Sequence, residues 1–168
     1  MAARGAVIYL PDRRWYLVAA ALATVALLAL RWPSAGSLLL LLDLAWLLAL
    51  VIDGWRLSSA VPITVSREAP PAFSVGRPLP VRYRWSHAAP WPLTLRVRER
   101  FPAPLEPPAR ERQIVVPAGS PLAEQVELRP VFRGKAAGGT IHLRLRGPWG
   151  LVWRQLRREQ PWQATVYP

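Results

Sequence analysis

The sequence predicts a membrane-anchored all-β protein: an N-terminal transmembrane α-hairpin followed by an antiparallel, immunoglobulin-like β-sandwich. Three observations predict it. Two apolar runs, residues 15–32 and 37–55, follow each other with only Pro33-Ser34-Ala35-Gly36 between them. Beyond residue 60, short stretches alternate apolar and basic residues as half-buried strands do. Between those stretches stand turn residues and prolines, with no helical period. The chain therefore divides into a cytoplasmic arm (1–14), the hairpin (15–55), a linker (56–60) and a β-domain (61–168).

Each apolar run, counted with its aromatic ends, has 18 or 19 residues. At 1.5 Å rise per residue that is roughly 27–29 Å, close to the hydrocarbon thickness of a bilayer. Trp15, Tyr16, Trp32 and Trp55 stand where amphipathic rings settle at the water–lipid boundaries. Ala19, Ala23 and Ala26 fall on one face of the first helix and permit close approach to the leucine-rich second. Pro33 and Gly36 are expected to turn the chain, so that the helices lie antiparallel.

Asp43 lies about 9 Å inside the second run by helical rise, and an aspartate near a span's centre costs roughly 2.5–3.5 kcal/mol. Antiparallel pairing brings it to Thr24, with Arg31 as a second partner. The pair reads either as an intramembrane polar contact or proton-carrying site, or as a protonated carboxyl that packs the hairpin. Asp53, near the exit of the run, reads as solvated. Arg4, Arg13, Arg14 and Arg56 flank the outer ends and only Arg31 the turn, which puts both termini and the β-domain on the cytoplasmic side of the inner membrane. A cleaved signal peptide and a buried soluble hairpin are the alternatives, and the immediate arrival of a second run argues against the first.

Composition bounds the rest. The chain has 168 residues, no cysteine and a net charge of +12. A β-domain of about 110 residues can bury one core. Without cysteine there are no disulfides, thiolate metal sites or cysteine nucleophiles. The basic residues include Arg82/Arg84, Arg96/Arg98 and Arg144/Arg146, alternating with apolar neighbours. That is the spacing of a solvated sheet face, which could also meet anionic lipid; no nucleic-acid motif accompanies the charge, so nucleic acid ranks last.

Strands are expected at residues 61–67, 79–86, 91–101, 112–116, 122–131, 140–146, 151–157 and 162–167. Val81, Tyr83 and Trp85 point inward in the second, Leu93, Leu95 and Val97 in the third, and Ile141, Leu143 and Leu145 in the sixth. The proline-rich stretch 102–108 is expected to be a surface loop.

Four stretches carry a resemblance: Phe73-Ser74-Val75-Gly76-Arg77-Pro78, then Arg129-Pro130-Val131-Phe132-Arg133-Gly134, then Pro148-Trp149-Gly150-Leu151, then Val166-Tyr167-Pro168. In order and spacing, and with two preceding membrane helices, they resemble the N-terminal half of the domain-of-unknown-function 58 family. Within these stretches Gly134 and Gly150 suit turns that need positive φ, a scaffold role. The resemblance implies a following von Willebrand factor A-like domain, absent from this sequence, which makes a fragment or half of a split protein an open reading. A MoxR-class AAA+ ATPase, or the A-like domain itself, is the protein partner it implies.

Chemistry is sparse. His87 and His142 are far apart, Ser86 beside His87 points to the opposite strand face, and no phosphate-cradling loop occurs. Glu99, Glu106, Glu111, Glu124 and Glu127 read as solvated pairs with nearby arginines. The sequence therefore predicts no enzyme, catalytic residue, metal or cofactor, and instead a membrane-anchored interaction module. Trp149, Trp153 and Trp162 are its candidate partner contacts, or else complete the core. Arg82, Arg84, Arg96, Arg98, Arg144 and Arg146 form its basic face, and Asp43 with Thr24 its intramembrane contact.

Overall fold

The computed structural model describes residues 8–29, 35–59 and 62–168. In chain order it contains β1 (Ile8–Pro11), α1 (Arg13–Ala29), α2 (Ala35–Ser59), β2 (Thr64–Glu68), β3 (Ala72–Ser74), β4 (Leu79–Ser86), β5 (Leu93–Glu99), β6 (Leu105–Glu106), β7 (Glu111–Val116), β8 (Leu122–Pro130), β9 (Gly134–Arg146) and β10 (Val152–Tyr167). One sheet runs β1-β10-β9-β5-β7, with β3 added alongside β10; the other runs β2-β4-β8-β6. All pairings are antiparallel except β3 with β10, which is parallel, so the sheets are mostly rather than wholly antiparallel.

The two sheets share one core, and the alternation that predicts the strands also selects its members. Val81, Tyr83 and Trp85 of β4 meet Leu95 and Val97 of β5 and Ile141, Leu143 and Leu145 of β9, all buried. Tyr83 and Trp85 stack with ring centroids 5.8 Å apart. Between the sheets lies a buried ion pair, Arg67 with Glu99. Glu99, 6% exposed, accepts hydrogen bonds from Tyr83 Oη at 2.7 Å and from the Arg67 guanidinium. Arg67 also donates to the Gln160 carbonyl and covers the Trp162 ring. Burial raises the Glu99 pKa, against the lowering effect of the Tyr83 hydrogen bond and the Arg67 and Arg112 charges. Glu99 is thus a buried bridge, not a solvated pair.

Several boundaries differ from the sequence expectation. Ile8–Pro11, inside the expected N-terminal arm, pairs with β10 as an edge strand. The expected strands 151–157 and 162–167 are one strand, β10, with a bulge between Glu159 and Trp162 that absorbs Pro161. The proline-rich loop contains the two-residue β6, paired with Pro130 and Arg129. The expected linker at 56–60 is helical through Ser59, with residue 60 outside the described residues.

The helices also depart from two equal runs. Only α2 is long and apolar enough to cross a membrane among the described residues, over Gly36–Ser58, and 11% of an apolar 18-residue part of it is buried within the protein. A core helix of a soluble protein would be mostly buried. α1 begins with Arg13 and Arg14 and is 17 residues long; its uncharged part, up to Ala29, covers about 22 Å at 1.5 Å per residue. Ala35 and Gly36, expected in the turn, already belong to α2, while Trp32, Pro33 and Ser34 lie outside the described residues. Ala19 is half-buried, but Ala23 and Ala26 are exposed, so the small-residue face is not the packed one.

Candidate functional site

The end of α2 is built into the β-domain. Trp46, Ala49, Leu50, Asp53 and Leu57 recur at helical spacing and are the buried or half-buried side of the helix's second half. Leu57, fully buried, enters the sandwich core. One turn before it, Asp53 is also fully buried. Its carboxylate accepts the backbone N–H groups of Trp149 at 2.9 Å, Leu151 at 2.9 Å and Val152 at 3.1 Å, all in or just after the β9–β10 turn. Such a concave run of N–H groups is an anion nest, here filled by the helix's own carboxylate.

The turn's sequence follows from that fit. Any Cβ on Gly147 would collide with the Asp53 carboxylate. Gly150 has φ +71°, a left-handed conformation that side chains resist. The scaffold reading of Gly134 and Gly150 agrees with their positive φ of 152° and 71°. Asp53 is not solvated, and its proximity to a glycine-rich turn 94 residues further on is invisible to periodicity.

Three further contacts brace the joint. Arg154 donates to the carbonyls of Leu57 at 3.0 Å and Ser58 at 3.3 Å, satisfying the last turn of α2. Asp12, directly before α1, accepts from Trp153 Nε1 at 2.8 Å and from Arg146 Nη2 at 2.5 Å, while its own N–H donates to the Leu151 carbonyl at 2.8 Å. Burial pushes the Asp12 pKa up, but the Trp153, Arg146 and Arg13 hydrogen bonds and the Arg146 charge outweigh it and hold the carboxyl below its ordinary value. Arg56 lies over the Trp149 ring, 5.4 Å from its centroid.

The candidate tryptophans occupy three different settings. Trp149 is 45% exposed, beside Arg56. Trp153 is buried, its ring covered by Arg96 at 4.7 Å and Arg146 at 5.5 Å. Trp162 is half-buried, with its ring edge-on to Phe73 and under Arg67. In the apolar helices, Thr24 donates to the Ala20 carbonyl of its own helix at 2.9 Å, whereas Asp43 is exposed and makes no hydrogen bond or ion pair among the described residues. Arg31 lies outside them.

The six basic-face arginines fall on two sheets with different surroundings. Arg82 stands opposite Glu68, and Arg84 beside Ser66, on the β2–β4–β8 sheet. On the other sheet Arg96 stands opposite Arg144, and His142 stands between Arg98 and Arg157. These residues, with Arg100, line an open cleft of about 770 Å³; among the described residues that line it, Glu111, opposite Arg98 on β7, is the one acid. Burial, then the charges of Arg157, Arg100 and Arg98, depress the His142 pKa. His87, by contrast, is structural: Nε2 meets the Val116 carbonyl at 3.0 Å and Nδ1 accepts from the Ala89 N–H at 3.1 Å. No group of three metal-ligating side chains occurs among the described residues.

No family model matches the sequence, and no curated protein matches it. Among solved structures, the chain is similar to the native α2-macroglobulin of Escherichia coli seen by cryo-electron microscopy, at 16% identity and TM-score 0.47 over 64% of this chain. It is likewise similar to a crystal structure of that protein spanning domain MG7 to the C-terminus, at 16% identity and TM-score 0.47 over 65% of this chain. The chain spans 7% and 17% of those two chains. The fold assignment therefore rests on this chain's own strand pairings.

Proposed function

We propose that this chain is a non-enzymatic, membrane-anchored interaction module that carries an immunoglobulin-like β-sandwich at a fixed attitude to the inner membrane. The observation that supports it most is Asp53. A carboxylate in the last turns of an apolar helix would be free to follow the helix if the domain hung on a flexible tether; here it is buried in three backbone hydrogen bonds from the domain. With Asp12, Arg146, Trp153 and Arg154, it makes helix and sandwich one body.

In this reading α2 spans the bilayer, α1 is the second span of a hairpin, and the arginines at the outer ends hold both termini and the β-domain in the cytoplasm. Exposed Tyr16, Trp55 and Trp149 form the interfacial belt on that side. The resemblance to the domain-of-unknown-function 58 family supports a role in an envelope-associated assembly, with an AAA+ ATPase or an A-like domain as partner. Single cysteines placed at Val115 and Glu127 in the otherwise cysteine-free chain test the topology. In intact spheroplasts both should resist a membrane-impermeant maleimide and react only after permeabilisation. Labelling before permeabilisation would refute the orientation.

A further inference from the structure

We propose that the arginine-lined cleft on the outer face of the β7–β5–β9–β10 sheet binds an extended acidic segment of a partner protein, one with carboxylates at alternate positions. Like charges directly opposite each other across strands destabilise a sheet. This face nonetheless sets Arg96 against Arg144 and flanks His142 with Arg98 and Arg157. The opposite sheet, built by the same chain, answers Arg82 with Glu68. Glu111, opposite Arg98 on β7, and Glu159, paired with Arg157, answer only part of this charge, and the five arginines line one cleft in which an anion would neutralise the excess.

Shape and spacing choose the ligand. Arg96, Arg98 and Arg100 repeat every second residue, about 6.6–6.8 Å apart along the strand direction. Alternate side chains of an extended peptide have the same repeat, so carboxylates in register can meet these guanidiniums, Arg96 from its place over the Trp153 ring and Arg98 in competition with Glu111. The cleft, at about 770 Å³, falls within the usual 300–1,000 Å³ of ligand sites. A bilayer surface is flat and does not enter a cleft. Single-stranded nucleic acid binds on aromatic stacking platforms, and among the described residues no tryptophan, tyrosine or phenylalanine lines this cleft.

The inference rests on the interaction-module reading and names the chemistry of the partner; the topology experiment reports on that reading separately, so the two can fail independently. The test uses the full chain in nanodiscs of neutral phosphatidylcholine and a fluorescent peptide in which glutamate and serine alternate over five repeats, read by anisotropy between about 20 and 300 mM salt. Binding should weaken steeply with salt, exceed that of a block peptide in which five glutamates precede five serines, and fall at least tenfold in R98E/R144E while R82E/R84E retains it. Arg144→Gln should weaken the peptide yet raise the melting temperature of the free protein, which separates lost binding from lost folding. Equal affinity for the block peptide, equal loss in both double variants, or preference for oligo-dT or for phosphatidylserine nanodiscs over the alternating peptide would each overturn the proposal.

Discussion

Replacing Asp53 by alanine removes the carboxylate that accepts from three N–H groups in or beside the β9–β10 turn. Leu151 N–H and Val152 N–H are buried, and Trp149 N–H is partly so. A buried donor left without a partner costs about 1–3 kcal/mol. Taking the two buried ones as unsatisfied and letting water reach the third, the loss is about 3–5 kcal/mol. That is a large share of the roughly 5–15 kcal/mol that holds a domain together. At about 4–8 °C per kcal/mol for a domain near 100 residues, the melting temperature should fall by about 12 °C or more. Asp53→Asn keeps one oxygen but turns an amide toward the remaining donors, so it should recover less than half of the loss. Gly147 supplies the internal control. Gly147→Ala should be strongly destabilising alone, because its Cβ meets the carboxylate, yet add little to Asp53→Ala. Tryptophan fluorescence during urea unfolding in detergent micelles reads all four proteins of this cycle. Additive effects, or an Asp53→Ala variant that melts within about 2 °C of the parent, would refute the nest.

Three further predictions concern the surrounding contacts. Arg67→Ala should cost roughly 3–5 kcal/mol, since it strands the buried Glu99, and adding Glu99→Gln should restore part of it; denaturant midpoints of the pair decide. Asp12 has a folded-state pKa below its unfolded one, so its contribution is present above the ordinary aspartate range of about 3.9 and is lost as pH falls through the lower folded value. An acid titration of stability should therefore flatten in Asp12→Asn, which should also lose about 1–2 kcal/mol at pH 7. Arg154→Ala uncaps the Leu57 and Ser58 carbonyls, and hydrogen exchange should quicken over the last turn of α2 while the β4–β8 amides stay protected.

The parts of this molecule legible in its sequence are those that depend on local period. β4, β5 and the second half of β9 alternate so regularly that both their existence and their inward residues follow from the spacing of Val81, Tyr83 and Trp85, of Leu93, Leu95 and Val97, and of Ile141, Leu143 and Leu145. What escaped depends on partners distant along the chain. β1 is four residues long and exists because β10 offers it an edge. β6 has two residues and no period at all. Pro161 divides β10 in sequence, and the bulge rejoins it in space. Asp53 reads as solvated at the exit of an apolar run because nothing local reveals the spare N–H donors of a turn near residue 149. One signal was available: Asp53 shares a helix face with Leu57, an apolar residue that would have no reason to point at a flexible linker. The arginine face is legible as a set of outward positions, but only the register shows that Arg96 faces Arg144 and that His142 lies between Arg98 and Arg157.

The central claim is that α2 and the sandwich move together. It is tested most directly by the distance distribution between spin labels on single cysteines at Leu44, in α2, and Glu127, in β8, measured by pulsed dipolar spectroscopy on the full chain in nanodiscs. Both positions are exposed, and the chain contains no other cysteine. A single narrow distribution that broadens in Asp53→Ala is the predicted result. A distribution already broad in the parent, and unchanged by the substitution, would mean that the domain swings on a tether and that the joint does not hold it.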